Sequence, residues 1–562
     1  MTPEPSVESL KALARTSGAE TAAAKRELVE GLAKRERWKP AELRELHDVL
    51  EFVRAYPDDE RVLAAARSLA ATLRERVGRV RDGAFAVPLF DSGVPGSALG
   101  HPFSFDVAVE LVRLFPGALE IDWDEWEDDA AFTDALSIVL APGEDQGLEE
   151  EGLGLRAWCA RCRPTTLATD LEFLLGLFAR AGLEPRVRAQ LWDACGVPIL
   201  YRLDRPGTGR VELELADAPL HFQSTEIERE RFPLPPRIRE PLERRKPLGR
   251  AAARRVLDVA LAALSARALE IYPLTFASED DVELVDCGRG LAIALVGVRP
   301  ERRSALESLQ FFLVVKNRVP IAYGPASVLF GCCELGINLF PEFRGGEIRF
   351  VYAQLMRVLH ARLGVELFFL TKYGMGEQND DALASGAFWI YRKLGFVPTS
   401  PEVEALARAE EARMTREPGY RSDRRMLKRL SHTEAVLDLS GGRCQPLELG
   451  ALGALQSRFL AAEFAGDRAR ASRECTARVA RALGARDLAK WPEPERRAFT
   501  ALAPLLALLA ELAHWSARDR AALVRAIRAK AARSEATAAR LFDAHPRLGR
   551  ELAALASTFR GA

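Results

Sequence analysis

The chain has 562 residues, more than one hydrophobic core usually serves, so roughly three or four domains are expected. Hydrophobic residues make up 48% and charged residues 28%, a globular balance that excludes a collagen-like or wholly disordered chain. With 79 Lys and Arg against 80 Asp and Glu the formal net charge is −1, which disfavours a globally basic nucleic-acid binder and leaves room for a local basic patch.

Residues 1–83 read as a helical region, rich in Ala, Leu, Glu and Arg, with Leu43, Leu46, Leu50 and Val53 at helical spacing. Pro57 followed by Asp58 and Asp59 breaks one helix and starts the next. His47 on a helix face reads as structural or solvated. Residues 84–231 read as an α/β region of unknown role, with a helix over 104–115, a short strand over 119–121, helices over 170–181 and 186–195, and strands in VPILYRL and RVELELA. Its acidic run DWDEWEDD, 122–129, lacks the central Gly and closing Glu of a calcium loop and reads as a solvated face. Cys159 and Cys162 form one C-x-x-C with neither a second pair nor a nearby His, so zinc is not expected. The eight scattered cysteines read as reduced thiols. Residues 232–255, with five prolines and many arginines, read as an exposed linker whose basic run could touch an anionic partner.

Residues 256–432 carry the most information. VELVD and LAIALVGV read as strands, and FFLVVKN and VPIAYG as a hairpin turning at Asn317 and Arg318. CCELGINLF, 332–340, is a further strand, and the loop PEFRGGE follows. EIRFVYAQLMRVLHARLG is an amphipathic helix, with Ile348, Val351, Leu355 and Leu359 on one face, stopped by Gly364; VELFFLTKY is a buried strand, and ALASGAFWIYRKLG is a second helix ending at Gly395. His360 within the first of these helices reads as structural. A Gly-containing loop opening a helix presents free amides that favour a phosphate. Residues 433–562 are helical again, with candidates over 447–464, 468–483, 495–515 and 518–542. Their arginine faces hint at nucleic acid, but interleaved Glu and Asp also suit a solvated surface. The longest apolar stretches, 291–298 and 502–512, fall short of the roughly 20 residues that cross a bilayer. The start MTPEPSVES has neither a basic nor an apolar run, so a cytoplasmic location without a membrane partner is expected.

The order strand, strand, strand, Gly-containing loop, helix, strand, helix resembles the GNAT acyltransferase superfamily over roughly residues 268–398. FRGGEIRFVYAQLMRVLHARLGVELFF is similar to its cofactor loop, helix and strand, and SGAFWIYRKLGF to its later helix, with Tyr391, Gly395 and Phe396 in place. The loop diverges from the family form, because Glu347 and Arg349 stand where small residues are usual, and Ala384 stands where Asn is usual, with Asn379 earlier. The fold class so implied is α/β (α+β): a GNAT-like mixed sheet with helices, flanked by helical N- and C-terminal regions and the second α/β region.

The resemblance implies transfer of an acyl group from acetyl-CoA or another acyl-CoA to an amine. A carboxylate, Glu334, would take a proton from the amine, and Tyr391 would protonate the leaving thiolate. The backbone of Leu335, Ile337 and Leu339 would hold the pantetheine arm, with Asn338 as a further polar contact. Arg344, Gly345, Gly346, Glu347, Ile348 and Arg349 would meet the diphosphate. The acceptor would be a small-molecule, peptide or protein amine. The alternative is a non-catalytic scaffold that keeps the fold with a decayed loop. A third reading is a transferase linked to RNA or aminoacyl-tRNA through the arginine-rich linker and tail.

Overall fold

A computed structural model describes residues 5–126, 129–149, 152–224, 233–344 and 346–560. The N-terminal region forms helices α1 (Val7–Leu13), α2 (Ala19–Ala33), α3 (Pro40–Ala55) and α4 (Glu60–Ala71). Ser6 and Asp59 cap α1 and α4 by accepting from the backbone amides three residues on, and proline opens α3, where its missing N–H is no loss. The expected apolar stripe Leu43, Leu46, Leu50 and Val53 is buried, but so are His47, Glu51 and Arg54. Helix α3 is therefore covered on more than its apolar face, and the residues that cover it belong to later parts of the chain.

The next region has a three-stranded antiparallel sheet of β1 (Ala98–Gly100), β2 (Leu119–Ile121) and β3 (Ile199–Arg202), in the order β1-β3-β2. With α5 (Phe105–Leu114), α6 (Asp170–Arg180) and α7 (Pro185–Cys195) it encloses its own core, where the ring of Trp192 meets Phe105, Phe132 and Phe178 edge-on. RVELELA is not a strand. Its carboxylates Glu212 and Glu214 are drawn to Arg74 and to Arg54 and Arg67 of the N-terminal region, which holds the segment as turns.

The proline- and arginine-rich stretch is built into the fold over its described residues. Helix α8 (Leu234–Ile238) buries Leu234 and Ile238, β4 (Arg244–Pro247) adds a strand, and α9 begins at Arg250 and runs to Ser265. Proline at a helix start or on an edge strand loses no needed hydrogen bond, so proline density alone did not make a free linker.

The main sheet has ten strands: β4, β5 (Ala277–Asp286), β6 (Leu291–Val298), β7 (Ser308–Lys316), β8 (Val319–Leu329), β9 (Cys332–Leu335), β10 (Asn338–Leu339), β11 (Leu367–Leu370), β12 (Val397–Pro398) and β13 (Ala435–Asp438). The mixed α+β architecture is thus present. From β4 to β9 neighbours are antiparallel, β9 and β11 are parallel, and β13 then β12 close the far edge. Every residue of β6 is buried, as a continuous apolar run requires when both sheet faces are covered. Between β10 and β11 runs α10 (Ile348–Leu363), ended by Gly364 at φ 76°. The single helix expected over ALASGAFWIYRKLG splits at Gly386, φ 66°, into α11 (Asp380–Ser385) and α12 (Ala387–Leu394). The N-terminal helices and this sheet share one continuous core.

The C-terminal helices are α13 (Leu449–Phe464), α14 (Arg468–Leu483), α15 (Glu493–Leu506), α16 (Ala517–Ala529), α17 (Glu535–Asp543) and α18 (Pro546–Arg560), with a core of their own. They are tied to the sheet by Glu535, whose buried carboxylate pairs with Lys530 and accepts from Val298 N at 3.3 Å. Among the described residues no helix is long and apolar enough to cross a membrane.

Candidate functional site

The site is built where two neighbouring strands part company. β9 lies antiparallel to β8 with Ser327 opposite Glu334, and β10 continues the same register, Asn338 opposite Tyr323. Gly336 N donates to Pro325 O and Phe340 N to Ile321 O. Alternation along a strand then turns the polar backbone groups of Leu335, Ile337 and Leu339 to the opposite edge. On that edge β11 pairs only with Cys332, Cys333 and Glu334. Beyond Glu334, no strand among the described residues covers it. The side chains of Leu335 and Ile337 are buried in the core and fix this edge in place. Gly324 permits the close pairing, since a Cβ there would lie 1.8 Å from Gly336 O.

Glu334 stands at the fork. It is exposed, yet the surrounding chain removes enough water to push its carboxyl above the ordinary range, the carboxylates of Glu307 and Glu434 push further, and a hydrogen bond from Thr371 opposes them. Such a shift makes a carboxylate a better proton acceptor near neutral pH. Tyr391 on α12 is buried against Tyr352 of α10 and Phe396, with ring centroids 5.8 and 5.7 Å away. The two tyrosine hydroxyls are hydrogen-bonded, and burial raises both above the ordinary phenol.

The loop after β10 is built differently. Glu347 precedes α10 but does not cap it with its side chain. Its carboxylate turns inward to Lys316 Nζ at 2.7 Å and to Arg289, and both it and the lysine are about 1% exposed. Burial draws Lys316 below its ordinary value, with Glu347 opposing and Arg289 reinforcing that pull. Tyr56, just beyond α3, lies against Gly346: a Cβ there would fall 2.6 Å from its hydroxyl. The amide of Glu347 donates to that hydroxyl, whose pKa burial raises. Gly346 therefore makes room for Tyr56.

One turn earlier, Glu342 meets Arg267 and the carboxyl of Glu51, beside Arg210. Burial, and then the Glu342 carboxylate against the opposing pull of the arginines, raises Glu51, while Arg267 and Arg210 hold Glu342 low. His47, Asp48 and Glu51 bring three ligand-type atoms within 4.8 Å of one another, but the Arg210 guanidinium already sits on His47 Nδ1 at 2.6 Å and on Asp48. Burial, then Arg210, keeps His47 neutral. A permanent cation fills the place a metal would take.

Of the expected site residues, Leu335, Ile337 and Leu339 present one strand edge, with Asn338 exposed beside them. Arg344 is exposed, Ile348 is half-buried, and Arg349 donates to Lys393 O at 2.5 Å. Gly345 lies outside the described residues. Ala384 is exposed, and Asn379 caps α11 by accepting from Ala382 N. The open edge suits an extended arm bearing amides, whereas at the start of α10 Tyr56 takes one amide and the Glu347 carboxylate is held inward by Lys316 and Arg289, which leaves fewer donors there than an open glycine loop offers. Sequence reasoning missed Tyr56, Arg289, Lys316 and the Glu51–Glu342 pair. Lys316 carried a signal, a lone cation closing the apolar strand FFLVVK. In comparisons with protein-family models, curated proteins and solved structures, the chain finds no match.

Proposed function

We propose that the protein is an N-acyltransferase that takes the acyl group of an acyl-CoA thioester, acetyl-CoA or a longer one, and passes it to an amine, as the GNAT resemblance implies. The observation that carries the reading is the fork: a parallel pair that stops at Glu334 and leaves the backbone of Leu335–Leu339 uncovered on one side. Glu334 takes a proton from the ammonium group. The amine nitrogen bonds to the thioester carbon, the C–S bond breaks, the sulfur receives a proton from Tyr391, and the second proton shed by the nitrogen restores the Tyr391 hydroxyl. A second reading rests on the filled loop. Glu347 paired with Lys316 and Arg289, and Tyr56 against Gly346, favour a scaffold without cofactor binding.

Calorimetry of the whole protein with acetyl-CoA and octanoyl-CoA separates the two. Binding at micromolar to millimolar ligand is expected, and Tyr391→Phe should lower kcat about 10- to 100-fold with KM little changed, since its hydroxyl acts only as the thiolate leaves. No heat and no thiol release at millimolar thioester would leave the scaffold reading standing.

A further inference from the structure

The C-terminal helices carry a charge that the chain total conceals. Residues 449–560 hold 20 Lys and Arg against 11 Asp and Glu, a formal charge of +9, while the whole chain is at −1. Eighteen of those cations are arginine, whose planar fork binds phosphate through paired hydrogen bonds. Most of the acids are already engaged: Glu474 with Arg470, Glu493 with Arg497, Glu495 with Arg528, Glu551 and Asp519 with Arg547, Glu535 with Lys530 and Asp487 with Lys490. Arg468, Arg496 and Arg525 are exposed and have no carboxylate partner among the described residues.

These arginines line clefts that adjoin. A cleft of about 480 Å³ between α14 and α15 holds Arg468, Ser472, Arg496 and Thr500. It shares Arg497 and Ala501 with a cleft of about 790 Å³ bounded by α15, the start of α7 and the turn Pro300–Arg302, which adds Arg186 and Arg302 beside Glu184 and Glu301. A third holds Arg525 and Arg528 beside Glu495 of α15. The cations thus run across three helices. The bundle's only large apolar side chain exposed among the described residues is Phe559, so the surface offers no apolar anchor for a protein hot spot or a bilayer. Cations spread along these clefts match a partner with evenly repeated negative charge.

We infer that these clefts bind the phosphate backbone of a nucleic acid. The inference is independent of acyl transfer. It is tested by fluorescence anisotropy of the full chain with labelled single-stranded RNA, duplex RNA and DNA of about 30 nucleotides, across a salt series. Affinity should fall linearly with log salt. Replacing Arg468, Arg496 and Arg525 together by Glu should weaken binding by about 30-fold or more and flatten the salt slope by about 2 to 3. The same reversal at Arg416, Arg425 and Arg429, exposed arginines outside the clefts, should change affinity less than about 3-fold. Tighter binding of RNA than DNA identifies RNA as the partner, and equal binding identifies the shared phosphates. The proposal is overturned if none of the probes binds at about 20 μM protein in low salt, if the two triple variants lose affinity equally, or if polyglutamate displaces RNA as well as unlabelled RNA does.

Discussion

The edge Leu335–Leu339 and the start of α10 are a few residues apart in one connection, and they treat their backbone amides in opposite ways. On the edge, register turns polar groups away from the sheet and β11 stops short of them. At the helix start, the protein supplies its own partners: the Tyr56 hydroxyl for an amide, and Lys316 with Arg289 for the carboxylate of Glu347. The difference teaches that a glycine pair before a helix does not by itself make an anion cradle. What packs against it decides whether its donors remain free for a ligand.

Breaking the closed end should have the largest effect. Lys316→Met leaves the Glu347 carboxylate buried beside Arg289 alone and should cost about 3–5 kcal/mol in denaturant unfolding, whereas Lys316→Met with Glu347→Leu should recover most of that loss. Gly346→Ala should cost about 1–3 kcal/mol by driving a methyl into the Tyr56 hydroxyl. Combined with Tyr56→Phe the penalty should shrink, and an undiminished penalty would mean that the glycine serves another purpose.

Next comes pH. Glu51 is raised in the fold, so its contribution is full below its unfolded pKa and is lost as pH rises through the folded value. Glu342 is lowered, so its contribution is present above its unfolded pKa and fades as pH falls toward the folded value. Glu51→Gln keeps a donor for Glu342 and should remove only the alkaline loss. Tm measured against pH should therefore fall less steeply above the carboxylate range in the variant, by about 1–2 kcal/mol of stability. The smallest perturbation is none at all. In hydrogen exchange, the amides of Gly336 and Phe340 should be protected, and those of Ile337 and Leu339 should exchange about 10- to 100-fold faster. Equal protection would mean that the edge is covered.

Much of the main sheet was legible because apolar runs and polar turns alternate cleanly. Asn317 and Arg318 do form the hairpin turn, at φ 48° and 73°, and Gly364 does end α10, which starts one residue after the expected Glu347. The breaks within helices were harder. Gly386 takes a left-handed φ that ends one turn and begins another, which helical spacing alone does not reveal. The edge residues 335, 337 and 339 follow from strand alternation, a local rule. The filling of the loop does not, since it depends on Tyr56, Arg289 and Lys316, which lie between about 30 and 290 residues away along the chain. Arginines and glutamates that pair across that distance look locally like any solvated helix surface.

The core that the first helices share with the sheet makes them load-carrying parts of one body. Asn317 at the β7–β8 turn donates to Ala55 O at the end of α3, and Tyr56 follows directly. A polypeptide begun after residue 80 would uncover Asn317 and strand Lys316 and Glu342 among missing neighbours. Such a piece should precipitate on expression. Any ancestor or relative that dispenses with the leading helices would need to have rebuilt this underside of the sheet.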